Sequence, residues 1–188
     1  MPIRLSRRTL LASGLAAWAT PAISASKPYV LVAEGSRVSF IFNLSGVSNS
    51  GTIPVETTDI RVGTDNLARS SATVTADVRK IRSGLIFVTE AIKSAELLDA
   101  ERHPTVSFAS NRVQLGAKGR ISEGARIDGN LTLRGVTRPI TLDANLSRPA
   151  GTRPDDLSVL HIRLTGSLSR AAYGATGYAG LADDTVSL

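Results

Sequence analysis

Ile127-Asp128-Gly129-Asn130-Leu131-Thr132-Leu133-Arg134-Gly135-Val136-Thr137-Arg138-Pro139-Ile140-Thr141-Leu142 is the stretch that decides the fold. Ile127, Leu131 and Leu133 fall on one face of the first half, opposite Asp128, Asn130 and Thr132. Ile140 and Leu142 do the same in the second half, continued by Ala144 and Leu146 against Thr141, Asp143 and Asn145. A period of two belongs to a half-buried strand, since a helix would repeat its apolar residues at three and four. Arg134-Gly135-Val136-Thr137 supplies the turn, so the stretch reads as a hairpin.

The same alternation continues outward in both directions. Upstream, Val38 to Leu44 carries Val38, Phe40, Phe42 and Leu44 on one face. Thr73 to Val78 carries Val74, Ala76 and Val78, and Thr105 to Ser110 carries Val106 and Phe108. Downstream, Leu160 to Thr165 places Ile162 and Leu164 together, with His161 on the other face. Six strands with one apolar face each predict an all-β, antiparallel fold around a common interior, a sandwich or an up-and-down barrel. Breaks are expected at Ser48-Asn49-Ser50-Gly51, Gly116 to Gly119 and Pro149 to Pro154. One segment departs from the rhythm: Thr89 to Ala100 has helical composition, with Thr89 and Ser94 as candidate N-caps and Pro104 at the exit. It predicts one or two short helices closing an end of the sheet.

Residues 1–25 read as an address. Arg4, Arg7 and Arg8 precede an apolar run from Leu10 to Ile23, then small residues to Ala25, which is the layout of a secretory signal. Ser6-Arg7-Arg8-Thr9-Leu10-Leu11 fits the twin-arginine type, implying bacterial export to the periplasm, and the run is too short to span a bilayer. The remaining domain, 26–188, loses three arginines and no acid, so the formal charge of +6 falls to +3. That balance describes a solvated surface and excludes a nucleic-acid stripe. The chain has no cysteine, which excludes disulfide scaffolds, thiolate metal sites and thiol nucleophiles.

The search for chemistry finds little. No Gly-rich phosphate loop, nucleophile elbow or H-E-x-x-H motif is present. His103 precedes Pro104 at an expected helix exit, and His161 lies on an outward strand face, so neither reads as catalytic and no spacing links them as metal ligands. Asp155-Asp156 and Asp183-Asp184 sit in loops as turn-forming charges. An outer-membrane barrel would point its apolar residues outward and carry aromatic girdles, and the seven aromatics outside residues 1–25 fit that poorly. What remains is the interior itself. An eight-stranded closed sheet either packs its lumen or holds one small ligand there, and alternation alone leaves both open.

Resemblance to a known family bears on that choice. Asp128 to Leu142 resembles the G-x-L-T-[IL]-R-G-V-T-[KR]-P-[VI]-T-L signature of the YceI-like family of periplasmic polyisoprenoid- or lipid-binding proteins. Ser94 to Phe108 is similar to that family's short helix followed by a His-Pro or Tyr-Pro step into a strand ending in Phe, and Gly166 to Gly174 is similar to its R-S-D-[FY]-G region. The matches keep their order over residues 29–188. In the last of them the family's acid is missing, the chain reading Arg170-Ala171-Ala172-Tyr173. The resemblance implies an extended, eight-stranded, lipocalin-like barrel and a bound polyisoprenoid or isoprenoid quinone rather than a cofactor. Lumen contacts are then expected from Val38, Phe40, Phe42, Leu44, Val74, Val78, Val106, Phe108, Leu131, Leu133, Ile140, Leu142, Ile162 and Leu164. Arg170 and Tyr173 are the expected head-group contacts, while Arg134 and Arg138 are expected to flank the hairpin turn in solvent. No catalysis, metal, nucleic-acid partner or membrane span is expected. The other reading is a packed barrel serving as a stress-related protein-interaction module, and self-association as a homodimer stays open.

Overall fold

Two pairs of residues with positive φ set the tight hairpins. Arg134 and Gly135 (φ 51° and 72°) join one pair of strands, and Ser45 and Gly46 (φ 51° and 77°) join another. Positive φ at both central positions is the geometry whose twist matches that of flanking antiparallel strands. In the computed structural model, residues 26–32, 35–63, 66–116, 123–153 and 156–188 are described. The reading of 1–25 as an export signal, and Asp155, lie outside them.

Eleven strands are present among the described residues: β1 (Lys27–Tyr29), β2 (Arg37–Leu44), β3 (Val47–Val62), β4 (Ser71–Asp77), β5 (Arg82–Ser83), β6 (Thr105–Leu115), β7 (Ala125–Leu133), β8 (Val136–Ser147), β9 (His161–Thr165), β10 (Ser167–Ser169) and β11 (Thr185–Ser187). One α-helix, α1 (Ile86–Lys93), connects β5 to β6. The order across the sheet is β10-β11-β2-β3-β4-β6-β7-β8-β9, all antiparallel, with β1 and β5 paired to opposite ends of β3. β9 and β10 are separated by Gly166 alone, which exchanges two backbone hydrogen bonds with Leu188. The sheet therefore returns to its starting segment. If β9 and β10 are taken as one kinked strand, the barrel has the expected eight. Gly166 is required there because a Cβ would meet the Leu142 side chain at 2.6 Å. At one end, the Tyr29 hydroxyl donates to the Leu157 carbonyl at 2.5 Å and ties β1 to the loop before β9.

All six expected strands are found, several longer than expected. The largest correction is β3. Ser48-Asn49-Ser50-Gly51, read above as a turn, lies inside this 16-residue strand, and the turn is at Ser45-Gly46. A bulge in β3 between Val55 and Thr57, and another in β6 between Ser110 and Arg112, each insert a residue and change which positions face inward.

The helix is also corrected. α1 begins at Ile86, so Thr89 is buried within it and accepts a hydrogen bond from the Ser83 amide. Ser94 is the C-cap, and Leu85 occupies the N-cap position with no side-chain cap. Val88 and Ile92 pack with Ile53, Ala76, Val78 and Ile81. Helix α1 thus closes the end where β4 and β7 finish and β6 and β8 start.

Candidate functional site

The interior divides into two buried clusters. The first is the α1 cluster just described, against which Phe40, Phe42 and Leu44 pack. The second contains Phe108, Leu131, Leu133, Ile140, Leu142 and Tyr173. Leu98 and Val106 touch both. Around and beyond these clusters, the inward positions Val74, Val113, Leu115, Ile127, Leu146 and Leu164 are only half-buried, Ile127 and Leu164 packing against the second cluster. So are Val38, Phe40, Phe42 and Leu44 along β2. A packed barrel would bury such rows fully. This wall is apolar surface that water reaches.

Two glycines shape the wall. Gly51 faces Phe40 across β2 and β3, and a Cβ there would lie 2.8 Å from both Cε atoms of the ring. Gly129 faces inward on β7, and a Cβ would come 2.5 Å from the Phe108 ring and from the Ala109 carbonyl. Each glycine lets an aromatic ring lie flat on the neighbouring strand instead of standing in the lumen. The Phe40 and Phe42 rings stack with centroids 6.0 Å apart.

Most of the residues expected in the lumen are buried or half-buried. Val78, Phe108, Leu131, Leu133, Ile140 and Leu142 are buried, and Val38, Phe40, Phe42, Leu44, Val74, Val106 and Leu164 are half-buried. Val78 serves from a 3-10 turn after β4 rather than from a strand. Ile162 is the exception. It pairs with Leu146 on the inward face, yet it is 43% exposed because β9 stands at the end of the sheet path.

The polar positions are rearranged. The Arg170 guanidinium donates to four backbone carbonyls, those of Ala175, Gly177, Ala182 and Asp183, at 2.6–2.9 Å. With four of its five N–H groups so engaged, it is a clamp on the 170–183 segment rather than the expected head-group contact. Arg134, expected in solvent, is half-buried and donates to the Gly174 and Ala95 carbonyls. Arg138 differs from both. Its register opposite Leu131 puts it on the inward side of β8 near the hairpin, where the residue itself is exposed. Its Nε donates to the Ala172 carbonyl at 2.5 Å, and its two terminal nitrogens have no partner among the described residues.

Tyr173 lies beside it. Its residue is 3% exposed and its ring belongs to the second cluster, while its hydroxyl makes no hydrogen bond among the described residues and is not sealed from open space. Burial pushes that hydroxyl's pKa up, and the nearby Arg138 charge opposes the shift. The phenol is neutral at pH 7 and can donate. Arg138 and Tyr173 together place a cation and a hydroxyl beside the second buried cluster, at the hairpin end of the barrel. Alternation hid Arg138, because the hairpin signature places it where a solvent-facing flank is the simpler reading.

No group of three metal-ligating side chains occurs among the described residues, and no helix there is long and apolar enough to cross a membrane. His103 lies against the turn, where a Cβ on Gly135 would meet its ring at 2.9 Å, and His161 is exposed.

Known proteins share this architecture. A UPF0312 protein of Vibrio vulnificus (strain YJ016) is 30% identical over 142 residues, 73% of each chain. Among solved structures, BcnA of Burkholderia cenocepacia superposes with a TM-score of 0.69 at 17% identity, covering 80% of this chain and 91% of that one. A YCEI protein of Campylobacter jejuni gives 0.63 at 20% identity, covering 86% and 94%. A polyisoprenoid binding domain from Saccharophagus degradans gives 0.56 at 16%, covering 84% and 91%. The model of the YceI-like domain matches residues 29–188, from the last residue of β1 to the end of the described barrel. The chain belongs to the YceI-like family.

Proposed function

We propose that the protein is a periplasmic carrier that holds a polyisoprenoid, isoprenoid quinone or similar long-chain amphiphile in its lumen and performs no chemistry on it. The observation that carries this is the half-buried apolar wall: an inward row that water reaches although its chemistry calls for burial. A hydrocarbon tail laid along it gains roughly 25 cal/mol for each Å² removed from water. A preformed site keeps the reorganisation cost small. The head group meets the Arg138 terminal nitrogens and the Tyr173 hydroxyl, while Arg170 keeps the 170–183 segment in place through its four carbonyl bonds. The polyisoprenoid binding domain from Saccharophagus degradans, which shares the fold, supports this ligand class.

Native mass spectrometry of protein isolated from the periplasm tests the reading. A stoichiometric adduct that fragments as an isoprenoid is the expected result. An apo mass, together with no uptake of added polyprenols or quinones, overturns it in favour of a barrel acting through its outer surface.

A further inference from the structure

Leu85, Ile86 and Phe87 are 47%, 81% and 64% exposed at the start of α1. Leu85 is the N-cap through its backbone alone, and none of the three side chains enters either buried cluster. Three consecutive large apolar side chains in water are a cost that folding does not explain, and a contiguous apolar surface of this kind marks an interaction site. Beside them the surface is cationic. Ile86 shares a cleft of about 580 Å³ with Lys80 and Arg82, and those two cations also line an adjoining cleft of about 360 Å³ with Arg37.

The nearby acids are already engaged. Asp77 binds Arg79, Glu56 binds Lys80 and Glu90 binds Lys93. Arg37 and Arg82 have no side-chain partner among the described residues. An apolar tip flanked by uncompensated arginines complements an interface that is hydrocarbon below and anionic above.

We infer that Leu85-Ile86-Phe87, with Arg37 and Arg82, forms a docking surface for anionic phospholipid bilayers. The apolar tip enters the headgroup region while the arginines meet lipid phosphates. This goes beyond the carrier reading and does not depend on what the lumen contains.

The test uses the purified protein and sonicated vesicles of phosphatidylcholine, with or without 30% phosphatidylglycerol. Flotation with the anionic vesicles and little with the neutral ones is expected, weakening as salt rises. Neutralising Arg37 and Arg82 (R37Q/R82Q) should lower binding about fivefold per charge. L85S/I86S/F87S should abolish it. Because the chain has no cysteine, F87C and S158C each take a single environment-sensitive fluorophore. A blue shift at position 87 but not at 158 is expected on anionic vesicles, and this readout stands even if a serine variant misfolds. No flotation, equal flotation of wild type and variants, or equal shifts at both labels overturns the proposal. Lumen occupancy by native mass spectrometry should be the same in the triple variant, which separates failure here from failure of the carrier reading.

Discussion

Gly51→Ala is a small change with a large expected consequence. The new methyl would stand 2.8 Å from both Phe40 Cε atoms and closer still to Cζ, whereas ordinary contact begins at 3.4 Å. The ring has to withdraw by at least about 0.6 Å at Cε and further at Cζ. Strand β3 blocks it on one side, so it swings toward the lumen and Phe42. Overpacking of this kind costs about 1–3 kcal/mol. Replacing glycine within a strand returns roughly 0.5–1 kcal/mol, leaving a net loss of up to about 2.5 kcal/mol. The lumen loses more. A ring displacing two or three methylenes of bound tail removes about 1.6–2.4 kcal/mol of burial, or roughly 15- to 60-fold in affinity. Titration of the delipidated protein with polyprenols of increasing length, alongside urea unfolding, measures both effects. Phe40→Leu in the same background should recover binding by making room again. If Gly51→Ala binds the long chains as tightly as the wild type, the ring does not border the bound tail and the reasoning fails.

Other outcomes follow from the polar groups. Arg138→Ala with Tyr173→Phe should weaken binding of an isoprenoid with a polar head while leaving a pure hydrocarbon unaffected, measured by competitive titration; equal losses for both would place the head elsewhere. Arg170→Met removes four charge-assisted bonds to carbonyls and should cost about 2–4 kcal/mol by chemical denaturation, with hydrogen exchange rising first over 170–183; Lys at this position should not restore them, since its ammonium lacks the planar fork. The Arg79 side chain bound to Asp77 holds that buried carboxylate below its ordinary value of 3.8. Its contribution is therefore present above the ordinary value and lost as pH falls through the depressed one. Urea midpoints should drop in that acid range, and Asp77→Asn should flatten the dependence while costing roughly 1–2 kcal/mol at pH 7. Gly135→Ala, at φ 72° and against the His103 ring, should destabilise by about 1–2 kcal/mol in a thermal melt.

The strands that face water on one side and the lumen on the other were legible, because that asymmetry is what alternation records. β3 was not. Its first half is rich in small polar residues, and Gly51, the strongest turn signal there, is present to accommodate a ring from the next strand. Its bulge after Val55 then breaks the phase of the second half. The inward rows on β2, β7 and β8 were readable for the same reason as the strands. The fate of the arginines was not, because it depends on carbonyls far along the chain: Arg134 reaches Ala95 and Gly174, about forty residues away in each direction. Local pattern carries no record of such partners, so Arg170 looked available and Arg138 looked idle.

The closure at Gly166 bears on how the chain comes to be folded. β11 must pair with β2, joining Ser187 to Ile41, and with β10 on its other side. The first of those contacts spans nearly the whole domain, so the loop to be closed is long and its entropy is committed late. Until residues 185–187 arrive, β2 and β10 each present an unpaired strand edge to any other chain nearby. A chaperone that holds the early hairpins apart from one another would thus shield the edges at most risk of intermolecular pairing. A chain stopped short of residue 185 should be recovered as aggregate rather than as a slightly weaker barrel.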